Sequence, residues 1–204
     1  MPAGTTTNVI ATPTRFDPSE PHLLVGAHLD TVPQAPGAED NASGIAVLLE
    51  LARVAAGNGT RLPVMFVAFG AEEPRGDGDA LHHFGSRAMV TRMPAHERRA
   101  IAGMVAMDRV GVGAVVPICT GGLGPSDVQR SLLRTADRAD VTPDACTNGS
   151  SDHWSFELAG VPAARVGGTS YAAYHSAADL PQVVDPRQLN RVGTLMWAWL
   201  AGSS

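Results

Sequence analysis

Several protein classes are excluded by what this chain lacks. It has only two cysteines, Cys119 and Cys146, too few for a disulfide framework. They read as buried free thiols in preference to a single bridge, and sequence alone does not decide. No apolar run approaches the ~18 residues of a membrane span. The opening residues, MPAGTTTNVIATPTRF, contain neither a basic n-region nor an apolar h-region. No signal peptide is therefore expected, and the compartment is cytoplasmic by default. There is no excess of basic residues: the formal net charge is −5, which argues against nucleic acid or an anionic membrane as the main partner. Repeats, linkers and low-complexity tracts are absent as well.

What is present fits an ordinary globular protein, 44% hydrophobic and 17% charged. A length of 204 residues suits one domain over 1–204, with residues 1–7 expected to be disordered. Short apolar runs alternate with helical patterns. Asn8–Ala11, Leu23–Ala27, Pro63–Phe69, Gly103–Met107, Val115–Cys119 and Pro162–Val166 read as strands. Pro117 suggests an edge strand or a bulge. Helices are expected over Ser43–Ala56, Ala80–Val90, Ser126–Ala139 (capped by Ser126), Ser151–Ala159 and from Asp185–Pro186 onward. The first of these is apolar nearly all round and reads as fully buried. The loop 74–79 separates the third strand from its helix. This alternation predicts an α/β domain with a mostly parallel central sheet sandwiched by helices.

Ligands of such sheets bind beyond the carboxyl ends of the strands. Three strands here run into a candidate metal ligand: LLVGA into His28, VMFVAFGA into Glu72-Glu73, and GMVAM into Asp108. Asp40 precedes the apolar helix, and His175 lies in a late loop. Two histidines and three carboxylates form a hard N/O set, suited to two divalent ions sharing one carboxylate, with zinc the default. Adjacent carboxylates at a strand end diverge. One of Glu72 and Glu73 can bind metal while the other serves as a base, the division of labour that amide hydrolysis needs. Asp30, two residues from His28, is placed to orient its imidazole. Each member also has an ordinary reading alone: Glu72-Glu73 as a solvated loop, Asp40 as a helix N-cap. The joint placement at strand ends outweighs these. His22, His82, His83, His96 and His153 read as surface or capping residues.

The stretches HLD (28–30), GAEDNASG (37–44), FGAEE (69–73), MDRVG (107–111), SDHWSFELAGVPA (151–163) and YHSAAD (174–179) resemble metallopeptidase family 28. That is the co-catalytic zinc aminopeptidase family, related to plasma glutamate carboxypeptidase and glutaminyl cyclases. The likeness runs from about Asn8 to the C-terminus. It implies a zinc aminopeptidase (phosphorylase/hydrolase-like) fold and two Zn2+ per chain, bridged by Asp40. His28 and Asp108 would complete one ion, Glu73 and His175 the other. Glu72 would be the general base toward a metal-bridging hydroxide, Asp30 the support of His28, and Tyr174 a group that polarises the substrate carbonyl. Packing is the other reading of Tyr174. The resemblance further implies a cis peptide at Asp40-Asn41, a structural role for Asp152, and an N-cap or loop anchor at Asp179.

Two features depart from the family pattern. The helix and strand that usually precede the segment equivalent to Asn8 have no counterpart in the given sequence, so an N-terminally shortened domain is expected, with a sheet edge that a homo-oligomer would cover. PRGDGDALHH replaces a Leu/Gly-rich run after Glu73 and is expected to shape substrate access. The implied activity is cleavage of an N-terminal residue from a peptide or amino-acid amide. The alternatives are a di-zinc carboxypeptidase, dipeptidase or aminoacylase-type hydrolase, with Arg109 or Arg165 gripping a substrate carboxylate, and a non-catalytic homologue that binds only metal or a partner.

Overall fold

Seven strands form one sheet in the order β1-β3-β2-β4-β7-β5-β6 in the computed structural model, which describes residues 5–202 apart from 77, 79 and 80. Residues 1–4 of the expected disordered tail lie outside the described residues, as do Asp77, Asp79 and Ala80 of the expected loop and helix. The strands are β1 (Val9–Ala11), β2 (His22–His28), β3 (Val64–Phe69), β4 (Ile101–Met107), β5 (Val116–Thr120), β6 (Pro143–Thr147) and β7 (Ala163–Val166). Four pairings are parallel (β2 with β3 and with β4, β4 with β7, β5 with β6), whereas β1–β3 and β5–β7 are antiparallel.

The period-2 alternation of strands divides the core between the two faces. Leu23, Val25 and Ala27 of β2 point to one side with Phe66 and Val105. They pack against α1 (Gly44–Asn58), α4 (Asp127–Arg138) and α6 (Pro186–Ala201). Leu24 points to the other side with Val67, Phe69 and Met104, under α2 (Phe84–Arg92) and α5 (His153–Leu158). Gly26 is required on that second side, because a Cβ there would come within 2.3 Å of the Phe69 ring. The remaining helix, α3 (Ala95–Ala100), leads into β4.

Several details correct the sequence reading. Helix α1 is not buried all round. Gly44, Val47, Leu48 and Leu51 face the sheet, while Leu49 is 65% exposed and Glu50 and Arg53 pair in solvent. An outer-layer helix needs only one apolar stripe. Ser126 makes no side-chain cap to α4, whereas Asp185 caps α6 by accepting from the Arg187 N–H at 2.9 Å. Strand β5 is not at the edge. Pro117 is tolerated because β7 is ending there: the Gly167 N–H donates to its carbonyl at 2.9 Å, and the reciprocal bond that proline cannot give is the next one out. Strand β6 had no sequence signal, since PDACT is largely exposed and does not alternate. Its register places Cys146 opposite Cys119, Cα–Cα 4.4 Å, and the two form a disulfide instead of the expected free thiols. No helix among the described residues is long and apolar enough to cross a membrane.

Candidate metal centre

Because β3, β2 and β4 are parallel neighbours, their carboxyl ends open side by side. His28 is the last residue of β2, Asp108 follows β4, and Glu72 and Glu73 follow β3 after a short turn. Asp40 comes from an irregular wide turn, Ala38–Ser43, in which Asp40 and Asn41 leave helical angles and the Asp40–Asn41 peptide is cis. His175 reaches over from the loop before α6.

Two groups of donor atoms share Asp40, and a third combination, His28, Glu72 and Glu73, also lies close enough to hold an ion. His28 Nε2 lies 3.2 Å from Asp40 Oδ1 and 3.5 Å from Asp108 Oδ1. His175 Nε2 lies 3.3 Å from Asp40 Oδ2 and 3.1 Å from Glu73 Oε2. Ligands at about 2.0 Å around a tetrahedral zinc ion stand roughly 3.3 Å apart, so both groups have the spacing of a zinc site. Their hydrogen-bonding capacity is also unspent: Glu73 Oε1, Asp108 Oδ1 and His175 Nε2 are buried with no hydrogen-bond partner. Clustered, desolvated donors of this kind are costly unless a cation sits among them. The residues therefore fit a bound cation such as zinc.

Two aspartates hold the ligand loops in place by the same device. Asp30 accepts from the Glu72 N–H at 2.9 Å and the Glu73 N–H at 3.2 Å. Asp179 accepts from the Glu39 N–H at 2.9 Å and the Asp40 N–H at 3.2 Å. Asp179 is thus the expected loop anchor. Asp30 supports His28 differently from the expectation. The imidazole Nδ1 sits 3.0 Å from the Asp30 carbonyl, while the carboxylate is 3.9 Å away and serves the Glu72–Glu73 backbone. Asn41 fastens the Asp40 turn to β4, donating to the Met107 carbonyl and accepting from the Gly44 and Arg109 N–H groups.

Glu72 stands beside both groups. Its Oε2 is 4.0 Å from His28 Nε2, and its Oε1 is 3.1 Å from Nε2 of His83. Burial alone would raise the Glu72 carboxyl, but His28 and His83 hold it below its ordinary value. Burial likewise opposes protonation of His83, and Glu72 outweighs it, so the His83 ring is raised. Asp108 is also desolvated, yet Arg165, 3.0 Å away, and His28 keep it well below the carboxylate range. Glu73 is pushed up to about 9 by burial and the Asp40 charge, as expected of carboxylates crowded together without a cation. Asp152, buried behind Glu72, is raised to about 7 by desolvation and by the Glu72 charge.

Residues 8–200 match the family model for Peptidase family M28. The chain belongs to this family. Aminopeptidase YwaD of Bacillus subtilis is 30% identical over 187 residues, covering 86% of this chain and 40% of that protein. The probable lipoprotein aminopeptidase LpqL of Mycobacterium tuberculosis is 32% identical over 173 residues, 76% of this chain and 33% of its own. Among solved structures, the zinc aminopeptidase BSAP from Bacillus subtilis superposes with a TM-score of 0.82 at 27% identity, over 94% of this chain and 48% of that one. The aminopeptidase of Aneurinibacillus sp. strain AM-1 gives 0.81 at 29% identity, over 95% and 48%. The M28 chain described here thus spans less than half the length of these relatives.

Within this M28 domain, three of the histidines read as surface or capping residues are buried: His22, His83 and His153. His22 packs edge-on against Phe16. His153 bonds the Asn148 carbonyl at 2.7 Å and is lowered to about 4 by burial and by Arg165. His83 lies in the site itself, and its only sequence signal was membership of the unusual stretch after Glu73. Arg165 is fully buried against Asp108 and is closed to substrate. Tyr174 is 46% exposed and stacks on His175 with centroids 3.8 Å apart.

Proposed function

We propose that this M28 domain is the catalytic unit of a di-zinc aminopeptidase. The observation that carries the reading is the pair of donor groups sharing Asp40, with Glu72 beside them and outside both. His28, Asp40 and Asp108 would hold one zinc ion, and Asp40, Glu73 and His175 the other. Bound zinc supplies Lewis acidity, polarising a carbonyl and making water acidic near neutral pH. The chain's own residues do the rest. Glu72 Oε1 is held by His83, which leaves Oε2 to take the proton of the attacking water and return it to the leaving amine. The Tyr174 hydroxyl, raised to about 12 by burial, stays protonated and can donate to the developing oxyanion.

An N-terminal cut is supported by the size of the cavity. About 90 Å³ lined by Asp40, Glu72 and Glu73 accepts a chain end more readily than the middle of a chain. The names of the relatives agree with this reading. The test is a panel of aminoacyl-anilides with free and acetylated amines, run on the wild type and on Glu72→Gln. Hydrolysis of the free-amine series is expected, falling about 10³-fold in the variant with metal content unchanged. Turnover retained by Glu72→Gln, or a preference for the acetylated series, would contradict the proposal.

A further inference from the structure

The residue after Asp108 is an arginine at the wall of the acidic cavity. Its backbone is fixed on both sides: the Arg109 N–H donates to Asn41 Oδ1 at 3.2 Å, and its carbonyl accepts from the Gly168 N–H at 3.0 Å. Its φ of 55° is left-handed, uncommon for a side chain of this size and most often met where a site demands it. The guanidinium carbon lies 4.6 Å from the centroid of the Tyr174 ring, which in turn stacks on His175.

Neutralising Asp108 does not account for it. Arg165 already pairs with Asp108 Oδ2 at 3.0 Å, whereas Arg109 Nε is 3.7 Å from Oδ1, beyond hydrogen-bond length. Among the described residues the Arg109 guanidinium donates no hydrogen bond, although its side chain is only 13% exposed. Asp108 and Asp40 offset its charge, so what is left unspent is its hydrogen-bond donors, at the wall of the cavity where a ligand can take them. The planar two-pronged guanidinium matches a carboxylate.

We infer that Arg109 is a specificity-determining residue that receives a carboxylate of the substrate close to the scissile bond. The inference rests on the hydrolase reading above and narrows its substrate class. Two sources carry that chemistry: the side chain of an N-terminal Glu or Asp, and the free C-terminus of a dipeptide.

Two isosteric pairs separate them, glutamyl- against glutaminyl-anilide and Leu-Gly against Leu-glycinamide, assayed with the zinc-loaded protein. In the wild type, kcat/KM for the carboxylate member of one pair should exceed that of its neutral partner by about 10- to 100-fold. The pair that responds identifies the source. The ratio should collapse toward one in Arg109→Gln and fall only partly in Arg109→Lys, which keeps charge without the planar fork. Calorimetric Kd values for reduced-bond (CH2–NH) analogues of the same compounds should show the same ratios, and they read Arg109 even if no compound is hydrolysed. Failed hydrolysis with a retained binding ratio would sink the catalytic proposal and leave this one standing. Binding and rate ratios near one in both pairs, or a ratio unchanged in Arg109→Gln, would overturn it.

Discussion

Glu72 has one carboxylate oxygen held by His83 at 3.1 Å and one left facing the donor groups. His83 thus sets the direction of the base and, by its hydrogen bond and then by its charge, holds its pKa down. Replacing it with Leu should lower kcat by roughly tenfold or more while KM and zinc content stay close to wild type. Loss of that hydrogen bond and charge raises the Glu72 carboxyl, so the acid limb of the pH–kcat profile should move to higher pH. His83→Gln, which still donates a hydrogen bond, should recover part of kcat and return the limb part of the way. Zinc lost in His83→Leu would instead make the residue structural. Sequence made His28, Glu73 and Asp108 legible as candidates because each follows an apolar strand. His83 was not, because its return to Glu72 depends on the course of the intervening loop, and a His-His pair beside Gly and Asp looks solvated. Asp30 was half legible. Its spacing placed it near His28, but only the folded turn reveals that its carboxylate serves the next strand's loop.

The elements that carry the site are stiff where they meet it. Ala71, His83, Arg109 and His175 all have left-handed φ, and all flank or form the centre. Such angles cost of order 1 kcal/mol or more each and persist only where packing and hydrogen bonds fix them. The Arg109 N–H is held by Asn41, the His83 N–H by the Glu72 carbonyl, and the Ala71 carbonyl by the Phe84 N–H. The central strands were readable as apolar runs because a parallel sheet buries both faces. The far edge was not, because β6 has little to bury. It is held by its ladder with β5 and by the Cys119–Cys146 disulfide, which closes a separation of 27 residues. Removing that cross-link should cost about 3 to 4 kcal/mol on the chain-entropy account. Cys119→Ser/Cys146→Ser should accordingly lower Tm by roughly 10 °C. Zinc content should be kept, since the donors lie on β2, beyond β3 and β4 and in two loops. An unchanged Tm would mean that β6 is held by its ladder alone.

Across the whole molecule, five donor residues between His28 and His175 come together from separate stretches of chain, at the carboxyl ends of neighbouring strands and in two loops anchored to them. The fold places each histidine Nε2 3.1 to 3.5 Å from its two carboxylate partners before any ion is counted. A cation bound there ties β2, β3, β4 and the loop before α6 into one unit, and such binding stabilises the native state by mass action. Asp40 is the residue on which the two-ion reading depends, since each of its oxygens faces a different histidine. The most direct measurement is metal content of the purified chain, followed by hydrolysis of aminoacyl-anilides before and after chelation. Near two zinc ions per chain, with activity lost to the chelator and restored by zinc, is the predicted result. A chain that takes up no zinc, or one that hydrolyses the anilides equally well when stripped of metal, would contradict it.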